Sequence, residues 1–196
     1  MQFRIVLLLV GLWLSVSGVA QQTVSPNAKE IAPNRPLQPW VEKQFGPDFK
    51  IDTRFEPMRG DFDGDGAEDL VIVATSKHPM GGSGGFNYRV TDPYDSYFGL
   101  GDPKITTQFA TFGDGTGHCI LIVHDWKAES PKSKWVIVNV PFSKIALGQA
   151  TVKKHTVAAV SAVESGGMSS LVFFDGKKYR WVPNDFQDDT DPIQAR

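Results

Sequence analysis

The apolar residues of this chain occur mainly in short runs of strand length, separated by glycine, proline and aspartate, which favour turns. The clearest run, residues 70–75, is almost continuously apolar and largely β-branched, which indicates a strand buried on both faces. An incoming strand is predicted over residues 55–59, so that the two form a hairpin. Further strands are predicted over residues 87–90, 119–124, 135–140, 156–163, 171–174 and 177–182.

One short helix is predicted near the start of the domain, from Pro39 to Phe45. Proline suits the first helical position, and glycine, here Gly46, suits the residue after the last turn. Trp40 and Val41 would then share a face with the phenylalanine and pack on the sheet.

The most regular hairpin signal lies near the C-terminus, where Asp175-Gly176 separates two apolar runs. Asp-Gly is a preferred two-residue hairpin turn, because both central positions require positive φ. This turn predicts that Val172 pairs with Tyr179 and that Trp181 joins them on one face of the hairpin.

Together these elements predict a mainly β fold. We expect a single antiparallel β domain over residues 37–183, either a small sandwich or a twisted sheet of about seven strands. Its hairpins would resemble propeller blades, with one short N-terminal helix added.

The N-terminus of the chain indicates export. Residues 1–20 have the pattern of a secretory signal peptide, with Arg4, an apolar core and small residues up to Ala20. A flexible leader is predicted over residues 21–36 and a disordered acidic tail over residues 184–196. We therefore expect a secreted or periplasmic protein, with no membrane span in the mature chain.

Charge and cysteine content narrow the function classes. The chain has 20 basic and 22 acidic residues, and loss of Arg4 with the signal peptide would leave 19 against 22, a net charge of −3. This balance gives no basic face for nucleic acid. Cys119 is the only cysteine, so no intrachain disulfide can form, and its apolar neighbours predict a buried thiol.

The strongest chemical signal is the segment 61–69, DFDGDGAED. It carries carboxylates at its first, third, fifth and ninth positions: Asp61, Asp63, Asp65 and Asp69. Gly66 stands at the sixth position, where a tight turn needs glycine, and Ala67 offers a backbone carbonyl at the seventh. Calcium takes six to eight oxygen ligands, which this loop is suited to provide. The alternative is a solvated turn, since aspartate and glycine are common turn residues.

The loop differs from an EF-hand, because the twelfth residue is Ile72 instead of a bidentate glutamate and a strand follows instead of a helix. The segment 60–74, GDFDGDGAEDLVIVA, resembles the calcium-binding segment of FG-GAP repeats, also termed VCBS-type repeats in bacteria. Such repeats occur in integrin α-chain propellers and in many secreted proteins. The resemblance implies that Ca²⁺ is bound by Asp61, Asp63, Asp65, the carbonyl of Ala67, and Asp69.

This resemblance is confined to one short segment. The family usually repeats the motif several times per chain, whereas this chain has it once. A closed propeller needs at least about four blades of roughly 40 residues, each with its own copy. A single copy therefore argues against a propeller.

Other catalytic patterns are weak. Residues 81–85, GGSGG, match G-x-S-x-G formally, but a nucleophile elbow needs a strand before the serine and a helix after it. His118 and His124 could lie on one face of their strand, yet zinc would need a third ligand that the sequence does not place. Carboxylate pairs for glycoside hydrolysis meet in space and stay open at this point.

The segment 80–103 is rich in glycine and contains Tyr88, Tyr94, Tyr97 and Phe98. These rings either cap the core or form a binding surface for an unknown protein or glycan. The expected function is that of a secreted calcium-binding β domain with a structural or binding, non-enzymatic role. The alternative is a secreted hydrolase directed at glycans, with a structural calcium.

Overall fold

The computed structural model of this chain describes residues 36–99 and 117–184. The signal peptide expected at residues 1–20 lies outside the described residues. So do nearly all of the expected leader and nearly all of the expected acidic tail.

Two β-sheets and three helices make up the described part of the chain. The helices are α1 (Leu37–Phe45), α2 (Ser83–Phe86) and α3 (Pro93–Tyr97). The strands are β1 (Lys50–Ile51), β2 (Met58–Gly60), β3 (Asp69–Thr75), β4 (Arg89–Thr91), β5 (His118–His124), β6 (Ser133–Ile137), β7 (Lys144–Val152), β8 (His155–Val163), β9 (Ser169–Phe174) and β10 (Tyr179–Pro183). The predicted mainly β fold with a short N-terminal helix is confirmed.

The first sheet has the strand order β1-β3-β5-β6-β4, and β2 pairs with the end of β3. Its central strands are antiparallel, with Leu70 opposite Val123 and Ile122 opposite Trp135. The edge pair of β4 and β6 is parallel, which departs from the antiparallel expectation. Helix α3 and strand β5 lie between these two strands in the chain, and they provide the long crossover that a parallel pair requires.

The second sheet, in the order β10-β9-β8-β7, packs on one face of the first. Side chains of both sheets meet in a shared core, and they include Ile120, Ile122, Trp135, Val160, Val172 and Trp181. Of the two expected arrangements, a small sandwich and a twisted sheet, the structure therefore has the sandwich. Phe62, from the segment 61–69, is fully buried in this intersheet core.

Helix α1 covers the other face of the first sheet. Trp40, Val41 and Phe45 are buried there against apolar side chains of β3 and β5. The predicted shared face is confirmed, although the helix begins two residues before Pro39. Gly46 follows the helix with a φ of 105°, a conformation that favours glycine.

The β9–β10 hairpin corrects the predicted register. Tyr179 pairs with Phe174 and Trp181 pairs with Val172, so the turn has four residues instead of two. The Asp175 carboxylate accepts hydrogen bonds from the backbone N–H groups of Lys177 and Lys178, which stabilises the longer turn. Because the shift is two positions, the predicted face stays the same.

The segment from residue 80 to residue 99 contains two short helices that the sequence pattern did not indicate. Helices α2 and α3 flank strand β4. Compared with the strand expected at residues 87–90, β4 begins two residues later and ends one residue later. Strand β7 also escaped prediction. It is an edge strand that pairs with β8, most of its residues are small or polar, and all but Ala150 are exposed or half-buried.

No helix within residues 36–99 and 117–184 is long and apolar enough to cross a membrane.

Candidate metal site

The carboxylate loop, residues 61–68, joins β2 to β3 at the bend of a hairpin in which Gly60 pairs with Asp69. The backbone carbonyl of Asp61 accepts a hydrogen bond from Ala158 N of β8 at 2.8 Å. With Phe62 buried between the sheets, the loop is attached to both of them. The expected position of the loop at a β-hairpin bend is therefore confirmed.

Three of the predicted ligands converge in this loop. Asp61, Asp63 and Asp65 each place a carboxylate oxygen within 4.8 Å of the others. Among the described residues, this is the only group of three or more histidine, cysteine, aspartate or glutamate side chains spaced to hold a metal ion. All three donors are carboxylate oxygens, the ligand type that calcium and magnesium prefer.

Backbone amides hold the loop in shape. Asp61 Oδ1 accepts from Gly64 N at 2.7 Å and from Asp65 N at 3.1 Å, and its Oδ2 accepts from Gly66 N at 2.9 Å. Gly64 and Gly66 have φ values of 78° and 87°, which other residues adopt only with strain. Asp65 Oδ1 accepts from the amide of Ala67 at 2.8 Å, which places the seventh position in the same turn.

The fourth predicted carboxylate, Asp69, is outside this group of three. It is fully buried, and its two oxygens accept from Phe62 N at 2.7 Å and Asp125 N at 2.9 Å. Burial raises its pKa to about 6, the two amides oppose that rise, and the charges of Asp63 and Asp61 add to it. Asp69 therefore closes the loop and ties it to the residues that follow β5.

Lys132 places a positive charge against the loop, a contact that the sequence did not predict. Lys132 Nζ lies 2.7 Å from Asp63 Oδ2 and also contacts Asp65 Oδ2. Hydrogen bonds to these carboxylates raise the pKa of Lys132, and the same contact lowers the pKa of Asp65. No sequence signal could have found this contact, because 69 positions separate Lys132 from Asp63.

Beneath the loop lies a buried polar group centred on His124. Its Nδ1 is 3.3 Å from Asp63 Oδ2 and 2.9 Å from Ser133 Oγ, while its Nε2 is 2.6 Å from the hydroxyl of Tyr179. Burial lowers the pKa of His124, with the charge of Asp63 acting in the opposite direction. The loop is thus connected through Asp63 to the second sheet.

The two histidines of β5 do share one face, but they belong to different surroundings. His118 Nε2 is 2.8 Å from Asp52 Oδ2, and its ring packs against Phe55 and Phe142. His124 packs against rings of the β9–β10 hairpin at the opposite end of the strand. They are not brought together as zinc ligands.

The aromatic residues of the segment 80–99 divide between the two expected roles. Tyr88 is buried in the core, and its hydroxyl donates to the carbonyl of Pro79 at 2.8 Å. Three other rings surround Trp181, with ring centroids 5.0, 4.9 and 5.9 Å from it: Tyr94, Tyr97 and Phe98. The last two are 50% and 53% exposed, so this cluster presents aromatic surface to solvent.

The serine of the GGSGG segment is part of a structural turn. Ser83 begins the four-residue helix α2, and its hydroxyl donates to the carbonyl of Met80 at 3.0 Å. A turn instead of a strand precedes it, so a nucleophile elbow is not formed.

An open cavity of about 430 Å³ lies between α1 and the connection from β5 to β6. It is lined by prolines, by Trp40 and by three charged residues, Lys43, Lys127 and Glu129. Its lining does not include the carboxylate loop.

Comparison of the chain with protein-family models, with curated proteins and with solved structures gave no match.

Proposed function

We propose that the loop 61–69 binds one calcium ion and that the protein is a secreted or periplasmic β domain with a structural or binding, non-enzymatic role. The observation that carries the proposal is the convergence of Asp61, Asp63 and Asp65 within 4.8 Å. Carboxylates this close repel one another strongly and favour a shared cation. Calcium matches the oxygen-only donor set and the single-turn loop.

The three converging carboxylates fit the ion. The ligand set that the FG-GAP resemblance implies comprises the three converging carboxylates with the carbonyl of Ala67 and with Asp69. The amides of Gly64, Asp65 and Gly66 already orient the first carboxylate, so little chain entropy remains to be lost on binding. Asp69 supports this arrangement from below by closing the loop.

Calcium in this loop would act on the fold as a whole. The loop contacts β8 through the carbonyl of Asp61 and the intersheet core through Phe62. An ion that rigidifies the loop therefore strengthens the contact between the two sheets. This matters for a chain whose single cysteine, Cys119, is buried and provides no disulfide.

The surface that we propose for a protein or glycan partner is the aromatic cluster at α3 and β10. Tyr97 and Phe98 are half exposed beside Trp181, and large aromatic rings favour binding surfaces. This surface belongs to the segment 80–103, of which residues 100–103 lie outside the described part.

The hydrolase alternative would need a catalytic carboxylate next to these rings, where Asp92 lies at the start of α3. Asp92 is buried, and its oxygens accept from Asp95 N at the start of α3 and from Asn139 Nδ2. These contacts give Asp92 a role in the fold. A screen against polysaccharides and ester substrates tests the alternative directly, and reproducible turnover would replace the non-enzymatic proposal.

Isothermal titration of the purified mature chain with CaCl₂ tests the calcium proposal. We expect one site in the wild type, and loss of binding in Asp63→Ala and Asp65→Asn. Asp48→Asn is the matched control, because Asp48 is an exposed carboxylate outside the loop. Absence of calcium binding by the wild type would refute the proposal.

A further inference from the structure

The carboxylate loop is contacted by a cation that belongs to the protein itself. Lys132 Nζ bridges Asp63 and Asp65, the third and fifth residues of the loop. We propose that Lys132 is a built-in competitor of the metal ion, whose ammonium group neutralises these two carboxylates while no ion is bound and leaves them when one binds. This inference rests on the proposed calcium site and concerns its regulation.

The contact uses two of the carboxylates that the proposed metal ion needs. Lys132 meets the Oδ2 atom of each of its two partners. Asp63 and Asp65 also belong to the group of carboxylates that converge within 4.8 Å. A divalent ion held by the same oxygens would stand next to the ammonium group, and two positive charges at that range repel each other. We therefore expect the two cations to compete for these carboxylates.

The surroundings of Lys132 allow it to leave. Its side chain is half exposed, so the ammonium group can turn into water without being buried elsewhere. Its backbone N–H donates to the carbonyl of His124 at 3.1 Å, which fixes the chain at this point. The exchange therefore involves the side chain and leaves the β5–β6 connection in place.

Other groups near the loop are engaged separately. Lys127, in the same connection, pairs with Glu68 at 3.0 Å, and Trp126 Nε1 donates to the same carboxylate at 3.1 Å. His124 faces Asp63 from below and is held by Ser133 and Tyr179. Of the lysine and arginine ion pairs that the structure shows in its described part, those of Lys132 are the ones made with the converging carboxylates.

This arrangement makes calcium affinity depend on the cost of releasing Lys132. The protein would bind calcium more weakly than its carboxylates alone allow, and the loop would keep its shape at low calcium. Such a competitor suits a compartment in which the calcium concentration is high, because abundant calcium is needed to displace the lysine from the carboxylates.

The test compares Lys132→Met with Lys127→Met by isothermal titration with CaCl₂ at one fixed ionic strength. Both variants lose one positive charge from the same connection, but only the first removes the ammonium group from Asp63 and Asp65. We expect Lys132→Met to lower the Kd for calcium by roughly three- to fivefold, the upper range of an exposed ion pair, and Lys127→Met to change it by less than about twofold. Lys132→Arg keeps the charge and should stay near the wild type.

The outcomes separate this inference from the calcium proposal. If neither the wild type nor any variant binds calcium, the proposed site itself is wrong. If the wild type binds and Lys132→Met binds equally or more weakly, the competitor role is wrong and the site stands. If Lys132→Met is unfolded in chelator but folds with calcium, the lysine and the ion are interchangeable, as proposed. If it stays unfolded in calcium, the lysine is structural and the inference fails.

Discussion

The carboxylate of Asp69 and the backbone amide of Asp125 lie 2.9 Å apart, although 56 positions separate them in the chain. The same side chain accepts from Phe62 N at 2.7 Å, so one buried group joins the carboxylate loop to the end of β5. The first and ninth residues of the segment 61–69 therefore have different structural roles. Asp61 organises the turn, and Asp69 attaches it to the sheet.

Truncation of this buried carboxylate should destabilise the fold. Asp69→Ala leaves the amides of Phe62 and Asp125 without their acceptor in a buried place, and each unsatisfied group costs about 1–3 kcal/mol. We expect a loss of about 3 kcal/mol in the free energy of unfolding, measured by urea denaturation in chelator. The exposed Asp48→Ala serves as control. An unchanged midpoint in Asp69→Ala would show that these two hydrogen bonds are not important for stability.

Calcium should stabilise the domain by a modest amount. With a Kd of about 10⁻⁴ to 10⁻³ M, typical of extracellular modules, about 1 mM calcium adds roughly 0.4–1.4 kcal/mol. For a domain of this size the melting temperature should rise by about 1–5 °C. Asp65→Asn should abolish the increase. Equal melting curves with calcium and with chelator in the wild type would contradict this expectation.

The backbone strain at Gly66, one of the two loop glycines with positive φ, can be tested by substitution without steric interference. A Cβ at Gly66 would meet nothing within 4 Å, but its φ of 87° is unfavourable for alanine. We expect Gly66→Ala to lower the free energy of unfolding by about 1–2 kcal/mol.

Gly84 in α2 supplies the matched control for this substitution. A Cβ there also meets nothing within 4 Å, and the backbone does not have a positive φ. Gly84→Ala should be neutral or stabilise by up to about 1 kcal/mol. Equal effects of the two alanines, measured by chemical denaturation in chelator, would show that the loop readily adopts another backbone conformation.

The buried carboxylate of Asp92 should make stability depend on pH. Burial raises its pKa from 3.8 to about 6, so the folded state favours the protonated form. Well below pH 4 the group is protonated in both the folded and the unfolded state, so it does not affect the free energy of unfolding. As pH rises from about 4 to about 6, the unfolded chain loses this proton while the folded protein keeps it, so stability falls, and the loss levels off above pH 6.

Asp92→Asn removes this contribution while its side-chain oxygen can still accept from Asp95 N. We expect the stability of the variant relative to the wild type to increase by up to about 3 kcal/mol between pH 4 and pH 7, because two pKa units correspond to that free energy. Denaturant unfolding at both pH values measures it, with Asp48→Asn as control. A difference that stays constant with pH would exclude Asp92 as the source.

Local pattern was sufficient to predict the elements that lie near the site. The apolar run at residues 70–75 became β3, the helix before Gly46 became α1, and the carboxylate loop stands at the hairpin bend. The β9–β10 pair was predicted with the correct face but the wrong register. The side chain of Asp175 favoured a longer turn than the dipeptide alone indicates.

What the sequence by itself determined is therefore local: strand and helix positions, the glycine turn, and three carboxylates that meet because they stand two residues apart. The tertiary structure alone decided which distant groups surround them, namely Lys132, His124 and Tyr179, and it gave Asp69 its buried place. The physical reason is that these contacts depend on which strands pair and which sheets pack. Those choices are made by the burial of apolar surface across the whole domain, and no short stretch of residues encodes them.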